Sequence, residues 1–162
     1  MNSYVILWDI DGCIADWSHR LPLIQPPIGM VADWHSFYEA MPHDRTLPGA
    51  VIWNLLANQA AMIQKAVAEK ALDMDYPVLD VLTCRPNKMR AVTVDWFERN
   101  GLMLPRAMHM RADDDNRPHH VIKTEIYREH YEGKEDVLCV VDDNAETIAA
   151  FRALGIPACH YG

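Results

Sequence analysis

The chain has no C-x-x-C pair, no internal repeat, no low-complexity segment and no apolar run long enough to span a bilayer. Its four cysteines, Cys13, Cys84, Cys139 and Cys159, are scattered, and three lie in or beside apolar stretches. That spacing excludes a paired-thiolate zinc site and fits reduced thiols better than a disulfide frame. The longest nearly apolar stretch, "AVIWNLLANQAAMI", is broken by Asn54, Asn58 and Gln59. No signal pattern precedes "YVILWDIDG". These absences together predict a soluble, cytoplasmic protein without a membrane partner. Positive charge is also short, with 15 Lys and Arg against 23 Asp and Glu and a net charge of −8. An acidic chain repels phosphate backbones at long range, so extended nucleic-acid coating is not expected, whereas a local basic pocket is allowed.

What is present is 162 residues, half of them hydrophobic, enough for one domain with a sizeable core. "YVILWDI" reads as a buried strand closed by Gly12. Residues 17–48 carry Pro22, Pro26, Pro27, Pro42 and Pro48, with Trp17, Trp34, Phe37 and Tyr38 among them. This predicts an insertion of loop plus a short helix around "ADWHSFYEAM", too long for a plain connector. "PGAVIWNLLANQAAMIQKAVAEKALDM" predicts a long helix opening at Pro48. A strand "YPVLDVLTCR", a helix "NKMRAVTVDWFERNG" closed by Gly101 and a short strand "AMHMR" follow. After the polar loop "DDDNRPHH" come a helix "VIKTEIYREHYEG", a strand "DVLCVVDDN", a helix "AETIAAFRALG" and a last short strand in "IPACHYG".

Strands alternating with helices predict an α/β fold: a three-layer, Rossmann-like parallel sheet with helices on both faces. The expected organisation is a single domain over 1–162 with a small cap insertion at about 17–48. Ligands bind at the carboxyl ends of such strands. That rule gathers Asp9, Asp11, Thr83, Arg85, Arg111, Asp142 and Asp143 at one edge.

One acidic pair at a strand end is ordinary on a solvated surface. Two pairs in one small sheet repel each other unless a cation compensates, and magnesium is the hard, oxygen-seeking candidate. Asp-x-Asp in an extended chain sends both side chains to the same side. One carboxylate can then act as a metal-held nucleophile, and the other can protonate a leaving oxygen and deprotonate water. Gly12 permits a sharp turn with amides facing a phosphate. Thr83 can hydrogen-bond a phosphoryl oxygen, and Lys123, near the start of a helix facing the same edge, can neutralise its charge.

Together "DIDGC", "VLTCR", "VIKTE" and "VVDDN" resemble the haloacid-dehalogenase-like phosphohydrolase superfamily. Its pattern is Asp-x-Asp-Gly-Thr, a Thr or Ser after the second strand, a Lys, and paired acids. The resemblance spans nearly the whole chain, in the right order. It implies that fold and a magnesium-dependent phosphomonoesterase acting through an aspartyl-phosphate. Asp9 would be the nucleophile, Asp11 the general acid and base, and Thr83 and Lys123 the phosphoryl-holding groups. Asp9, Asp11 (through its carbonyl), Asp142 and Asp143 would form the magnesium site. Cys13 departs from the pattern, where Thr is usual.

Within the superfamily the chain resembles the 3′-phosphatase domain of phage-type polynucleotide kinase/phosphatase. Arg20 stands eleven residues after Asp9, Arg85 follows Thr83 at the place of an arginine, and Arg111 and Arg117 stand six apart ahead of Lys123. The resemblance implies that Arg20, Arg85, Arg111 and Arg117, with Gly12 and Cys13, bind substrate, a phosphorylated nucleic-acid end or nucleotide. His119 stands where that family has an acid, and no G-x-x-x-x-G-K-[ST] kinase loop is present. The alternatives are a 5′- or 3′-nucleotidase and, in a different class, a catalytically idle module that senses nucleotides or docks a partner. The insertion's aromatics read as its small core or as a stacking surface for bases, and His119 and His120 as an exposed helix entry rather than a second metal site.

Overall fold

In the computed structural model, residues 3–161 are described; Gly162, the end of the last predicted strand, lies outside them. Five parallel strands form the central sheet in the order β5-β4-β1-β6-β7, with β1 Ser3–Trp8, β4 Tyr76–Pro86, β5 Met108–Arg111, β6 Asp136–Asp142 and β7 Ala158–His160. The helices α3 Pro48–Ala68, α4 Arg90–Arg99, α5 His119–His130 and α6 Ala145–Ala153 connect them.

Alternation along β1 builds a core on each face. Trp8 packs with Ile10, Ile14, Trp53, Trp96 and Phe97 on the side of α3 and α4. Val5 and Leu7 pack with Leu82, Tyr127, Tyr131, Ile148 and Phe151 on the side of α5 and α6. This is the predicted three-layer sheet, buried on both faces. No helix among the described residues is long and apolar enough to cross a membrane.

The insertion is pinned at its base by a two-stranded antiparallel ribbon, β2 Ala15–Asp16 against β3 Arg45–Thr46. Between them lie a 3-10 turn, Ser18–Arg20, a short α1 Leu21–Ile24, and α2 Trp34–Glu39, whose first turn is capped by Asp33. The helix expected from Val121 begins two residues earlier, with Pro118 as its N-cap, because proline suits a helix start.

Candidate active site

Asp9 directly follows β1, Asp142 ends β6, and these are neighbouring strands. Lys123 of α5 reaches between them: its Nζ lies 2.9 Å from Asp9 Oδ2 and 2.6 Å from Asp142 Oδ2. The lysine side chain is 1% exposed, a burial that an ammonium tolerates only when paired. Asp142 Oδ1 accepts a hydrogen bond from the Asn144 amide at 2.9 Å. Asp9 Oδ1 is buried and has no partner. Asp143 completes the group, and one oxygen from each of Asp9, Asp142 and Asp143 lies within 4.8 Å of the other two.

Charge follows from this crowding. Burial, opposed by Lys123 and reinforced by Asp142 and Asp11, raises the Asp9 carboxyl to about 7. Burial and then the Asp142 charge raise Asp143 to about 6. Burial works against the Lys123 ammonium, but Asp9 and Asp142 outweigh it and its pKa rises. Three converging carboxylates, one with an orphaned buried oxygen, fit a hard divalent cation such as magnesium.

Gly12 is required here for close approach. Its φ is +83°, and a Cβ would lie 1.9 Å from Asp143 Oδ2. The Gly12 and Cys13 amides are taken up within the turn itself. The Gly12 N–H donates to the Ala15 carbonyl at 2.9 Å and the Cys13 N–H to the Ile10 carbonyl at 3.2 Å. The Cys13 side chain is fully buried in the core on the α3 side. Its small apolar thiol packs where a substrate contact was expected.

Asp11 turns away from the carboxylate cluster. It accepts from Arg85 Nε at 2.9 Å, Arg85 Nη2 at 2.7 Å and Arg20 Nη2 at 2.6 Å. Burial would raise its pKa, but Arg85, then Arg20 and Lys123, outweigh that and hold it below the usual carboxylate range. Both arginines also grip Asp44, just before β3. Burial pushes the Asp44 carboxyl up, and the two guanidiniums oppose the shift through three charge-assisted hydrogen bonds. The Arg20 guanidinium lies 4.4 Å from the Phe37 ring centroid. Arg85 Nη1 is buried without a partner. Thr83, near the end of β4, is buried, and its Oγ1 accepts from the Arg85 amide at 3.2 Å.

The other arginines divide. Arg111 ties β4 to the insertion, with Nε donating to the Cys84 carbonyl at 3.0 Å and Nη2 to the Tyr38 hydroxyl at 2.9 Å. Arg117 is half exposed and paired with Asp115 and Glu125 at 2.7 and 2.6 Å. It lines a cavity of about 420 Å³ between β5 and α5 that none of the strand-end aspartates reaches. Spacing ahead of Lys123 could not tell it from a surface pair. His119 and His120 open α5, and no His joins the carboxylate cluster among the described residues. Asp44 is the participant that sequence reasoning missed; a single acid in "MPHDRT" carries no periodic or motif signal.

A family model, that of the polynucleotide kinase PNKP phosphatase domain, matches residues 57–161. The chain belongs to that family of phosphatase domains. The match takes in Thr83, Arg85, Lys123, Asp142 and Asp143, while Asp9, Asp11 and the insertion precede it. Among solved structures, a Pnkp1/Rnl/Hen1 complex aligns with a TM-score of 0.70 at 20% identity, covering 99% of this chain and 45% of that one. The chain therefore spans less than half the length of that relative. A haloacid dehalogenase-like hydrolase from Streptococcus pneumoniae aligns at 0.57 and 11% identity, over 97% of this chain and 83% of that one. A class C acid phosphatase from Bacillus anthracis, with tungstate bound, aligns at 0.52 and 13%, over 95% and 62%. At these identities the likeness is one of fold. No curated protein matches the chain.

Proposed function

We propose that this domain is a magnesium-dependent phosphomonoesterase that removes 3′-phosphates from nucleic-acid ends through a phosphoaspartate on Asp9. The observation that carries the chemistry is the Lys123 bridge between Asp9 and Asp142, beside a buried and unpartnered Asp9 oxygen. An Asp9 oxygen attacks phosphorus; the bond from phosphorus to the ester oxygen breaks, and that oxygen leaves with its electron pair and takes a proton. Water then attacks phosphorus, the bond to Asp9 breaks, and phosphate departs. Lys123 offsets the charge on the transferring group, and the Thr83 hydroxyl donates to one of its oxygens. Magnesium held by Asp9, Asp142 and Asp143 would supply further charge neutralisation.

Asp11 supplies proton transfer. As arranged here two guanidiniums occupy its oxygens and weaken it as a base, so taking a proton from water requires it to be freed from at least one of them. Donation to the leaving oxygen requires its release from Arg85 and Arg20. An incoming phosphate competes for those guanidiniums, and the unpartnered Arg85 Nη1 is a donor it can take up once the cluster opens. Loss of the two cations raises the Asp11 pKa when a donor is needed.

The family match, and a fold like that of a protein solved within an RNA repair complex, support a nucleic-acid end as substrate. A net charge of −8 favours a bare end over long duplex contacts and leaves free nucleotides as the second reading. The test compares phosphate release from 3′-phosphorylated oligonucleotides and from 3′- and 5′-mononucleotides, in magnesium and in EDTA, with D9N as the blank. Release from oligonucleotides alone, lost in EDTA and in D9N, is expected. Equal rates on mononucleotides overturn the end-processing reading. Activity in D9N overturns the phosphoaspartate. No release from any substrate favours a binding module.

A further inference from the structure

We propose that Trp34 and Tyr38 of α2, together with Lys88, form a subsite that stacks a nucleobase of the strand whose terminal phosphate is cleaved. The proposal rests on the nucleic-acid reading above and names how the strand is held. Trp34 and Tyr38 are spaced i, i+4 and share one face of α2. Their ring centroids are 6.1 Å apart, with 31° between planes, so they form one tilted shelf. Phe37 lies beneath, 7% exposed, and meets Trp17, Trp34 and Tyr38 edge-on at 6.1, 5.5 and 5.4 Å. Phe37 is thus the core of the insertion, and the shelf rests on it. Trp34 itself is 52% exposed, an unusual cost for an indole with no ligand.

The shelf opens onto a cavity of about 410 Å³ lined by Trp34, His35, Tyr38, Glu39, Lys88 and Met89, within the size range of small-ligand sites. Its lining is mostly apolar and includes one ammonium, Lys88, whose Nζ lies 5.5 Å from the Tyr38 ring centroid. The nearby Glu39 carboxylate is paired with His35 at 3.2 Å. An aromatic face beside an ammonium matches a base and the phosphodiester next to it.

The cavity is linked through the chain to the strand end that carries Thr83 and Arg85. Lys88 and Met89 follow directly on β4, three and four residues past Arg85. Arg111 clamps the Tyr38 hydroxyl to the Cys84 carbonyl, between Thr83 and Arg85. The shelf is therefore held in fixed relation to the residues that meet the phosphate. Stacking on such a surface tolerates any base, since every base has a π face.

The test measures kcat and KM for wild type, W34A and W34F on a 3′-phosphorylated oligothymidylate and on glycerol 2-phosphate, which has no base. Binding of the fluorescently labelled oligonucleotide by D9N and by D9N/W34A, read by anisotropy, needs no turnover. W34A is expected to lower the oligonucleotide to glycerol-phosphate ratio of kcat/KM about tenfold, through KM. W34F should recover most of it, and D9N/W34A should bind about tenfold more weakly than D9N. An equal loss on both substrates, or unchanged oligonucleotide binding, overturns the subsite. If wild type favours the oligonucleotide no more than glycerol 2-phosphate, the nucleic-acid reading itself has failed, and the binding arm separates that result from failure of the shelf alone.

Discussion

Arg20 closes on Asp44 as a fork, with Nε 2.8 Å from Oδ1 and Nη2 2.8 Å from Oδ2. The two side chains are 1% and 0% exposed. The same Arg20 Nη2 reaches Asp11, and Arg85 repeats the double contact with Asp11 and Asp44. Two guanidiniums and two carboxylates thus pair with one another, all buried except Asp11, which is 23% exposed. They join the 3-10 turn after β2, the residue before β3 and the end of β4, so the insertion is tied electrostatically to the strand ends it overhangs.

Removing one member leaves an uncompensated charge. D44A should cost about 3–5 kcal/mol of folding stability, the scale for breaking a buried ion pair. The R20M/D44L double variant should lose less than the sum of its single changes. Urea unfolding of wild type, R20M, D44L and R20M/D44L measures the coupling. Additive losses would mean that the fork contributes nothing beyond packing.

Metal binding at the carboxylate cluster is expected to depend on pH. Asp9 and Asp143, raised to about 7 and about 6, hold protons in the folded protein that the unfolded chain has already lost. For a raised acid the native state binds more protons between the two values, so metal-free stability falls as pH climbs from about 4 to about 7. Asp11, whose pKa is lowered, acts oppositely at the acid end. Magnesium must displace the retained protons, so its affinity should rise about tenfold per pH unit for each proton released, levelling above about pH 7. Calorimetric titration at three pH values checks this, with thermal unfolding in EDTA against magnesium as the companion. A flat affinity profile would show that these carboxyls are not the ligands.

Gly12→Ala tests the packing of the metal cradle. The new Cβ pays for a left-handed backbone, about 1–2 kcal/mol, and collides with the Asp143 carboxylate. Magnesium affinity should fall about 10–100-fold, the scale for losing an orienting contact at a metal site, while the Arg20–Asp44 fork stays intact. Calorimetry on the variant, with a circular-dichroism check of folding, reads both. Unchanged affinity would remove Asp143 from the site.

The strand ends were legible in the sequence because a parallel sheet must finish its apolar runs at one edge, and acids at those points have few structural uses. Lys123 was legible because α5 has to start beside that edge. The direction of the Asp11 side chain was not, since it is set by two arginines distant in sequence. Asp44 was hidden for the same reason: nothing local marks a carboxylate whose partners arrive from another strand end. Arg117 and Cys13 show the converse limit. Their positions follow a motif, but one is occupied by surface acids and the other by core packing.

Asp80 separates stability from chemistry. It interrupts the apolar pattern of "YPVLDVLTCR", and the strand forms through it regardless. The carboxylate is fully buried and satisfied: Arg106 Nε donates at 3.0 Å, the Ala107 amide at 2.9 Å and the Tyr131 hydroxyl at 2.7 Å. It points to the α5 side, in mid-strand, away from the carboxyl ends where the proposed catalytic groups gather. D80A leaves four donor groups, the two from Arg106 included, without their acceptor, so a loss of about 3 kcal/mol is expected, with Arg106, partly exposed, recovering some by hydration. The kcat for phosphate release, measured well below the unfolding temperature, should stay within about twofold of wild type. A D80A protein that unfolds at lower urea yet turns over normally would place Asp80 in the scaffold. A selective fall in kcat with unchanged stability would instead couple the α5 face of the sheet to Lys123.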